Sequence, residues 1–195
     1  MKKVLLLLAD GFEMFEASAF IDVIGWNLVE GDQSIKLYSC GFMKEVKSSF
    51  DQKLIPDFLI NDINPEDFDA LAIPGGFDEY GFYDDAYNVR FLDIIKQFNA
   101  QNKLIATICV GGLPVAKSGI LINKFATTYN QNPKRIEQLI DMGALYTNEP
   151  IVVNDNIITS SNPATAHEVA FILLEKMTDK NNSEKVKSLM GFSIN

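Results

Sequence analysis

Two cysteines, one histidine and no surplus of basic residues are what this 195-residue chain has least of, and each shortage excludes something. Cys40 and Cys109 alone cannot build a disulfide framework, which points to a reducing compartment. His167 is the single histidine, and Cys40 and the carboxylates show no ligand spacing, so neither a metal site nor another cofactor is expected. Lys and Arg number 17 against 26 Asp and Glu, a formal net charge of −9. Nucleic acid is therefore not an expected partner, because phosphate binding needs clustered cations, and Lys44, Lys47 and Lys53 alternate with acids and apolar residues. Long apolar runs are missing as well. The first, residues 4–9, is closed by Asp10 and is too short for a signal-peptide core or a membrane span, so a cytoplasmic protein with no membrane partner is expected. Repeats, low-complexity tracts and linkers are absent too. At 47% hydrophobic and 22% charged, the chain reads as one ordered globular domain over residues 1–195.

What is present is strand–helix alternation. Residues 3–9 form a continuous apolar run, typical of a strand buried on both faces. A helix over 15–29 puts Phe20, Val23, Ile24 and Leu28 on one face. A strand is expected over 35–40, a small hairpin or excursion over 45–55, and a short strand over 69–73 closed by Pro74-Gly75-Gly76. Then follow a helix over 85–100 that aligns Val89, Leu92, Ile95 and Phe98, and a strand over 104–108 running into Cys109. The helix after Cys109 stops near Gly119. A strand over 124–129, a helix over 133–142, a hairpin at 151–159 and a long helix over 163–177 complete the pattern. Residues 179–187 read as a charged segment, and 189–194 as an apolar ending that docks on the body. The alternation implies an α/β sandwich around a mainly parallel sheet, with ligands bound beyond the carboxyl ends of the strands. Three turns fall at such ends, at Asp10–Glu13, Pro74–Gly76 and Cys109–Gly112, and the topology brings them together.

Cys109 is the most telling residue. It stands between the strand and Val110-Gly111-Gly112, so its sulfur is expected at an elbow, against free N–H groups of a helix start that favour the thiolate. The same geometry carries serine nucleophiles in other α/β enzymes, whereas an ordinary cysteine in a core is an inert small hydrophobe. Cys40 fits that second description. Asp10 and Glu13 suit the first turn of a helix for dipole reasons. Glu16 lies a turn further in, among Phe15, Ala17 and Ala19, where a partly buried carboxyl stays protonated and can donate to a nearby sulfur.

Residues 9–16 (Ala-Asp-Gly-Phe-Glu-Met-Phe-Glu), 73–76 (Ile-Pro-Gly-Gly) and 106–111 (Ala-Thr-Ile-Cys-Val-Gly) resemble, in order and spacing, the three signature segments of the ThiJ/PfpI family. The resemblance runs from the first strand through Asn162-Pro163-Ala164-Thr165 to the last helix. It implies a flavodoxin-like three-layer fold, a single domain of the class I glutamine amidotransferase type, and a homodimer. It further implies Cys109 as nucleophile, Glu16 as the acid bonded to its sulfur, and the N–H groups of Gly76 and Val110 as an oxyanion hole. The chain departs from the pattern where the family carries a histidine: Val110 follows the cysteine directly, and Tyr129 occupies the downstream position. A neutral tyrosine is a poor base, which weakens a Cys–His peptidase mechanism but leaves a hydrogen-bonding role. His167 reads as a structural or surface residue. The aromatic loop 77–83 reads either as a lid or pocket wall, or as a dimer contact or simple packing.

The expected function is a cysteine-dependent enzyme on small carbonyl or amide substrates. In a glyoxalase or deglycase version, the thiolate adds to an aldehyde and Glu16 moves a proton between adjacent carbons. In an amidase or protease version, Cys109 attacks an amide. A different class of reading is a redox sensor or stress-response chaperone in which Cys109 is oxidised to sulfinic acid, held by Glu16. A third is an inactive α/β scaffold.

Overall fold

The computed structural model describes residues 1–192. Its main sheet is built from β1 (Lys2–Leu7), β2 (Ile35–Gly41), β5 (Phe58–Leu59), β6 (Ala70–Ile73), β7 (Leu104–Thr107), β10 (Ile151–Asn154) and β11 (Ile157–Ser160). A small antiparallel hairpin, β3 (Val46–Lys47) with β4 (Lys53–Leu54), lies outside it. The strand order is β10-β11-β7-β6-β1-β2-β5, and only the β10–β11 pair is antiparallel. Helices α1 (Met14–Glu30), α6 (Ala166–Met177) and α7 (Lys180–Leu189) pack together on one face. On the other lie α3 (Val89–Ala100), α4 (Gly112–Lys117) and, against α4, α5 (Pro133–Asp141). This is the three-layer, mainly parallel α/β sandwich, flavodoxin-like, that the alternation and the resemblance imply.

Burial explains the strand sequence. Val4 to Leu8 are all fully buried, because helices cover both faces of the sheet at its centre, and such a strand has no solvent side to mark with polar residues. From β1 the chain proceeds to β2 on one side and reaches β6 on the other, so the strand order reverses between β1 and β6. That reversal is where open α/β sheets leave a crevice at their carboxyl edge. The loops leaving β1 and β6 meet there: the Glu13 N–H donates to the Gly75 carbonyl at 2.8 Å. Next to them Ile108, just after β7, donates to the Ile73 carbonyl at 3.2 Å. The first two turns are thus hydrogen-bonded to each other, and the third leaves from a strand end bonded to the end of β6.

Several boundaries differ from expectation for identifiable reasons. The helix over 85–100 is two helices, α2 (Phe82–Ala86) and α3. Asn88 is extended and its side chain caps the Arg90 N–H at 2.9 Å, so a new helix begins there and Val89, at its first turn, faces solvent rather than the core. The strand over 124–129 shrinks to β8 (Phe125–Ala126), which pairs with β9 (Leu145–Tyr146) outside the main sheet. The residues after it brace the elbow instead: the Thr128 hydroxyl donates to the Cys109 carbonyl at 3.2 Å. In α1 the inward position near the end is Asn27 rather than Leu28, and its Oδ1 accepts from Asn182 Nδ2 at 2.7 Å. Asn182 belongs to α7, which corrects the reading of 179–187 as merely charged: Asp179 caps it and Ser183 and Val186 are buried. Leu189 is exposed, while Phe192 packs on Phe171 at 5.4 Å between ring centroids; the rest of the expected docking segment, 193–194, lies outside the described residues.

Candidate active site

Cys109 sits at the turn between β7 and a short 3-10 segment, Cys109–Gly111, that runs into α4. Its φ is +54°, a left-handed conformation that costs a non-glycine residue of order 1–3 kcal/mol and persists only where the surroundings enforce it. The enforcing contacts are the Thr128 hydroxyl on its carbonyl and the close approach of Gly111 to the end of β6, where a Cβ would stand 2.7 Å from the Ile73 oxygen. The side chain is 7% exposed and opens into a cleft of about 290 Å³.

Glu16 projects from α1 beneath that cleft and is fully buried. Its Oε2 accepts the Gly75 N–H at 2.5 Å, while Oε1 has no nitrogen or oxygen partner. The Cys109 thiol stands beside this carboxyl, close enough for each to bear on the other's ionisation. Burial, reinforced by the Glu13 charge, raises the carboxyl from 4.5 to about 8, so Glu16 is neutral at pH 7. With Oε2 occupied as an acceptor, the acid proton belongs on Oε1 and is available to the sulfur.

The thiol itself moves against the expectation of a helix-activated cysteine. Burial first, and the Glu16 charge second, push Cys109 up; the Val110 N–H pulls it down. The reason is local. The helix that follows is only six residues long and begins as a 3-10 turn, so its dipole is weak compared with the loss of water. Cys109 and Glu16 therefore influence each other's ionisation, and a charged carboxylate opposes the thiolate.

Gly76, Val110 and Tyr129 line the same cleft as Cys109, so the structure gathers the five residues singled out in the sequence, with Glu16 behind the cysteine. Neither the Gly76 nor the Val110 N–H is used in a backbone hydrogen bond among the described residues. His167 is elsewhere: its ring packs between Phe15, at 5.8 Å, and Phe192, at 4.9 Å. Cys40 is fully buried and burial raises its thiol, as befits a core residue. Asp10 ties the β3–β4 hairpin to the first loop by accepting the Lys47 N–H at 2.9 Å. The aromatic loop divides its duties. Phe77, Asp78 and Glu79 form a cleft wall, Phe82 is core, and Phe77 and Tyr80 pack on exposed Phe50 at 5.6 and 5.7 Å.

Four lining residues were not singled out as site groups: Glu13, Asn132, Arg135 and Pro163. Arg135 lies over the Tyr83 ring at 4.7 Å, with Nη2 3.6 Å from Asp78 Oδ2. Asn132-Pro133 is legible as a helix start, but nothing in the linear sequence says that the first turn of that helix faces the loop after β6. Glu13 carried an acceptable alternative explanation as a first-turn acid.

Among known proteins, the model of the DJ-1/PfpI family matches residues 2–176. An uncharacterized Methanocaldococcus jannaschii protein, MJ0967, is 34% identical over 130 residues, 67% of this chain; the match spans 62% of that protein's length. The glutathione-independent glyoxalase DJ-1 of Schizosaccharomyces pombe is 31% identical, covering 97% of this chain and 98% of that protein. The crystal structure of Drosophila melanogaster DJ-1beta superposes with a TM-score of 0.85 at 27% identity, over 98% of both chains.

Proposed function

The chain belongs to the DJ-1/PfpI family, and from that premise we propose that it is a cysteine-dependent enzyme converting small 2-oxoaldehydes, such as methylglyoxal, to 2-hydroxy acids. The observation that carries the reading is the Cys109–Glu16 pair: a nucleophile on a strained elbow, next to a carboxyl kept neutral by burial and with one oxygen lacking a nitrogen or oxygen partner. The S. pombe relative named a glutathione-independent glyoxalase supports it. The sulfur adds to the aldehyde carbon, Glu16 hydrogen-bonds the sulfur, and the N–H groups of Gly76 and Val110 hold the developing oxyanion. A carboxylate of the site moves a proton from C1 to C2, and water releases the acid. Small carbonyls suit a cleft of about 290 Å³. The amidase version is weaker, since it needs a base and the only histidine, His167, packs between two phenylalanines away from the cleft. The test is loss of methylglyoxal with stoichiometric appearance of lactate in the purified protein. No consumption above buffer would refute it.

A non-enzymatic redox role has one specific observation in its favour: a neutral Glu16 and the Val110 N–H are both placed to hold a sulfinate on Cys109. Peroxide treatment followed by mass spectrometry reads it directly, as two added oxygens on Cys109.

The oxyanion role of Gly76 yields a further expected result. A Cβ at residue 76 would overlap the Gly11 carbonyl and the Phe82 ring, so the turn must shift. Gly76→Ala should lower kcat/KM by about 10²-fold or more, the usual cost of losing one oxyanion donor, with a stability loss of about 1–3 kcal/mol from overpacking. Steady-state kinetics and a thermal melt check both.

We propose the homodimer as the working assembly, with a second copy covering α1. Phe15, Trp26 and Val29 are exposed on that helix, and a shallow apolar groove of about 430 Å³ runs beside Trp26. Trp26→Glu should yield a monomer by sedimentation where the wild type is a dimer. No helix among the described residues is long and apolar enough to cross a membrane, and the two free thiols suit a reducing cytoplasm.

A further inference from the structure

The reaction needs a base that the family's missing histidine does not supply, and Tyr129, in its place, is a phenol. Glu16 is unsuited: it is fully enclosed and its Oε2 is bound to the Gly75 N–H, so it has no path to the substrate carbon. Three other carboxylates line the cleft. Asp78 is paired with Arg135 and mostly exposed, and Glu79 is exposed on the 3-10 turn Asp78–Tyr80. Glu13 differs from both. It occupies the cap position of α1, yet its side chain caps nothing, and its carboxylate makes no hydrogen bond or ion pair among the described residues. Its backbone is pinned beside the oxyanion donors, with the Glu13 N–H on the Gly75 carbonyl and Phe12 bridged to Gly76. A glutamate at this position that makes no capping bond leaves its carboxylate available to the cleft that it lines.

We propose that Glu13 is the base that carries the proton from C1 to C2 of the bound 2-oxoaldehyde; the inference rests on the glyoxalase reading above. Glu13 lines the cleft into which Cys109 opens, so its carboxylate and the sulfur border the same space. Half-burial raises its pKa, moving it toward the working pH of a base. The steps balance without any oxidant. The Cys109 sulfur bonds to C1, and the thiol proton ends on the former aldehyde oxygen, giving a hemithioacetal. The Glu13 carboxylate removes the C1 hydrogen as a proton; the freed electron pair forms the C1–C2 double bond, and the C2 carbonyl oxygen becomes an enediolate. Glu13 returns that proton to C2, and the C1 hydroxyl proton passes to the C2 oxygen, leaving a thioester of a 2-hydroxy acid on Cys109. Water cleaves the C1–S bond, releasing the carboxylic acid and the thiol. Two carboxyl groups in different environments thus take different tasks: buried Glu16 keeps its proton and orients the sulfur, and half-exposed Glu13 exchanges one.

The experiment uses the full chain with methylglyoxal as probe, comparing wild type, Cys109→Ser, Glu13→Gln and Glu13→Asp. Glu13→Gln should lose about 10²–10⁴-fold in kcat, with KM within about threefold and the hemithioacetal on Cys109 still visible by mass spectrometry. Glu13→Asp should fall between the two. The acid limb of the wild-type kcat/KM profile should report Glu13, above the ordinary glutamate range, and should vanish from the residual activity of Glu13→Gln. The groups facing Glu13 in that profile are Glu16 from α1, Cys109 from the elbow, Asp78 and Glu79 from the wall, Tyr129, and Arg135 from α5. A purely structural role would not remove the limb. If wild type turns over, Cys109→Ser does not, and Glu13→Gln retains kcat within about threefold, the inference is overturned while the glyoxalase reading stands. If wild type itself is inert, that reading fails and the inference with it.

Discussion

Cys109→Ser should reduce methylglyoxal turnover by at least about 10³-fold while leaving the fold intact. A serine hydroxyl is a weak nucleophile unless an adjacent base takes its proton, and no histidine lines the cleft to do so. Glu16 cannot substitute, because it is itself protonated at pH 7 and would offer a proton to the serine oxygen instead of accepting one. Stability should change by less than about 1.5 kcal/mol: the hydroxyl can still take the Val110 N–H and the Glu16 proton, so no buried donor is orphaned. The variant has a second readout. Cys40 is fully buried with a raised thiol, so native Cys109→Ser protein should resist iodoacetamide, and peroxide should add no oxygen to a cysteine. Turnover, a thermal melt and intact-protein mass spectrometry check the three parts; retained turnover would remove the cysteine from the mechanism.

Glu16→Gln should produce the opposite pairing, a large loss of activity with a gain in stability that depends on pH. The carboxyl is held at about 8 in the fold against 4.5 ordinarily. Its folded pKa is raised, so the stability associated with its neutral form is complete below pH 4.5 and drains away as pH rises toward 8. Over that window the unfolded chain ionises the glutamate while the fold keeps it neutral. By pH 7 the cost is roughly 3 kcal/mol at about 1.4 kcal/mol per pH unit. Glutamine has nearly the same shape, can accept the Gly75 N–H, and never ionises. The melting temperature of Glu16→Gln should therefore match wild type near pH 4 and exceed it increasingly up to pH 8, at about 2–4 °C per kcal/mol. Turnover should fall about 10²-fold, since a weaker amide donor replaces the acid at the sulfur. Melts across pH 4–9 decide it: an offset independent of pH would mean that Glu16 is not the buried neutral acid described.

The parts of this site that could be read from the sequence are those fixed by local rules. Cys109 follows an apolar strand and precedes two glycines, and a strand-to-helix elbow is written in that spacing alone. Glu16 stands out as an acid among Phe15, Ala17 and Ala19, and the two alanines are buried with it. The sheet was legible for the same reason, since Val4 to Leu8 admit no polar residue. What could not be read depends on how distant segments meet. Arg135 reaches the cleft only because α5 sets its first turn against the wall formed by Asp78. Residues 127–129 look like a continuing strand, yet Thr128 spends its hydroxyl on Cys109. The direction of the thiol shift was missed because the sequence shows a helix start but not its length or its dryness. Glu13 was hidden because an acid at a helix start already suits the helix dipole, and its place in the cleft depends on how the first loop meets the turn after β6.

The most direct measurement of the coupled Cys109–Glu16 pair is ultraviolet thiolate absorbance against pH, taken in wild type and Glu16→Gln with Cys109→Ser as the blank. The account predicts a thiolate rise in wild type displaced well above the ordinary cysteine range, and a rise at lower pH in Glu16→Gln, where no carboxylate charge opposes the thiolate. Superimposable curves in the two proteins would contradict the account, because they would show a cysteine that does not sense the carboxyl beside it.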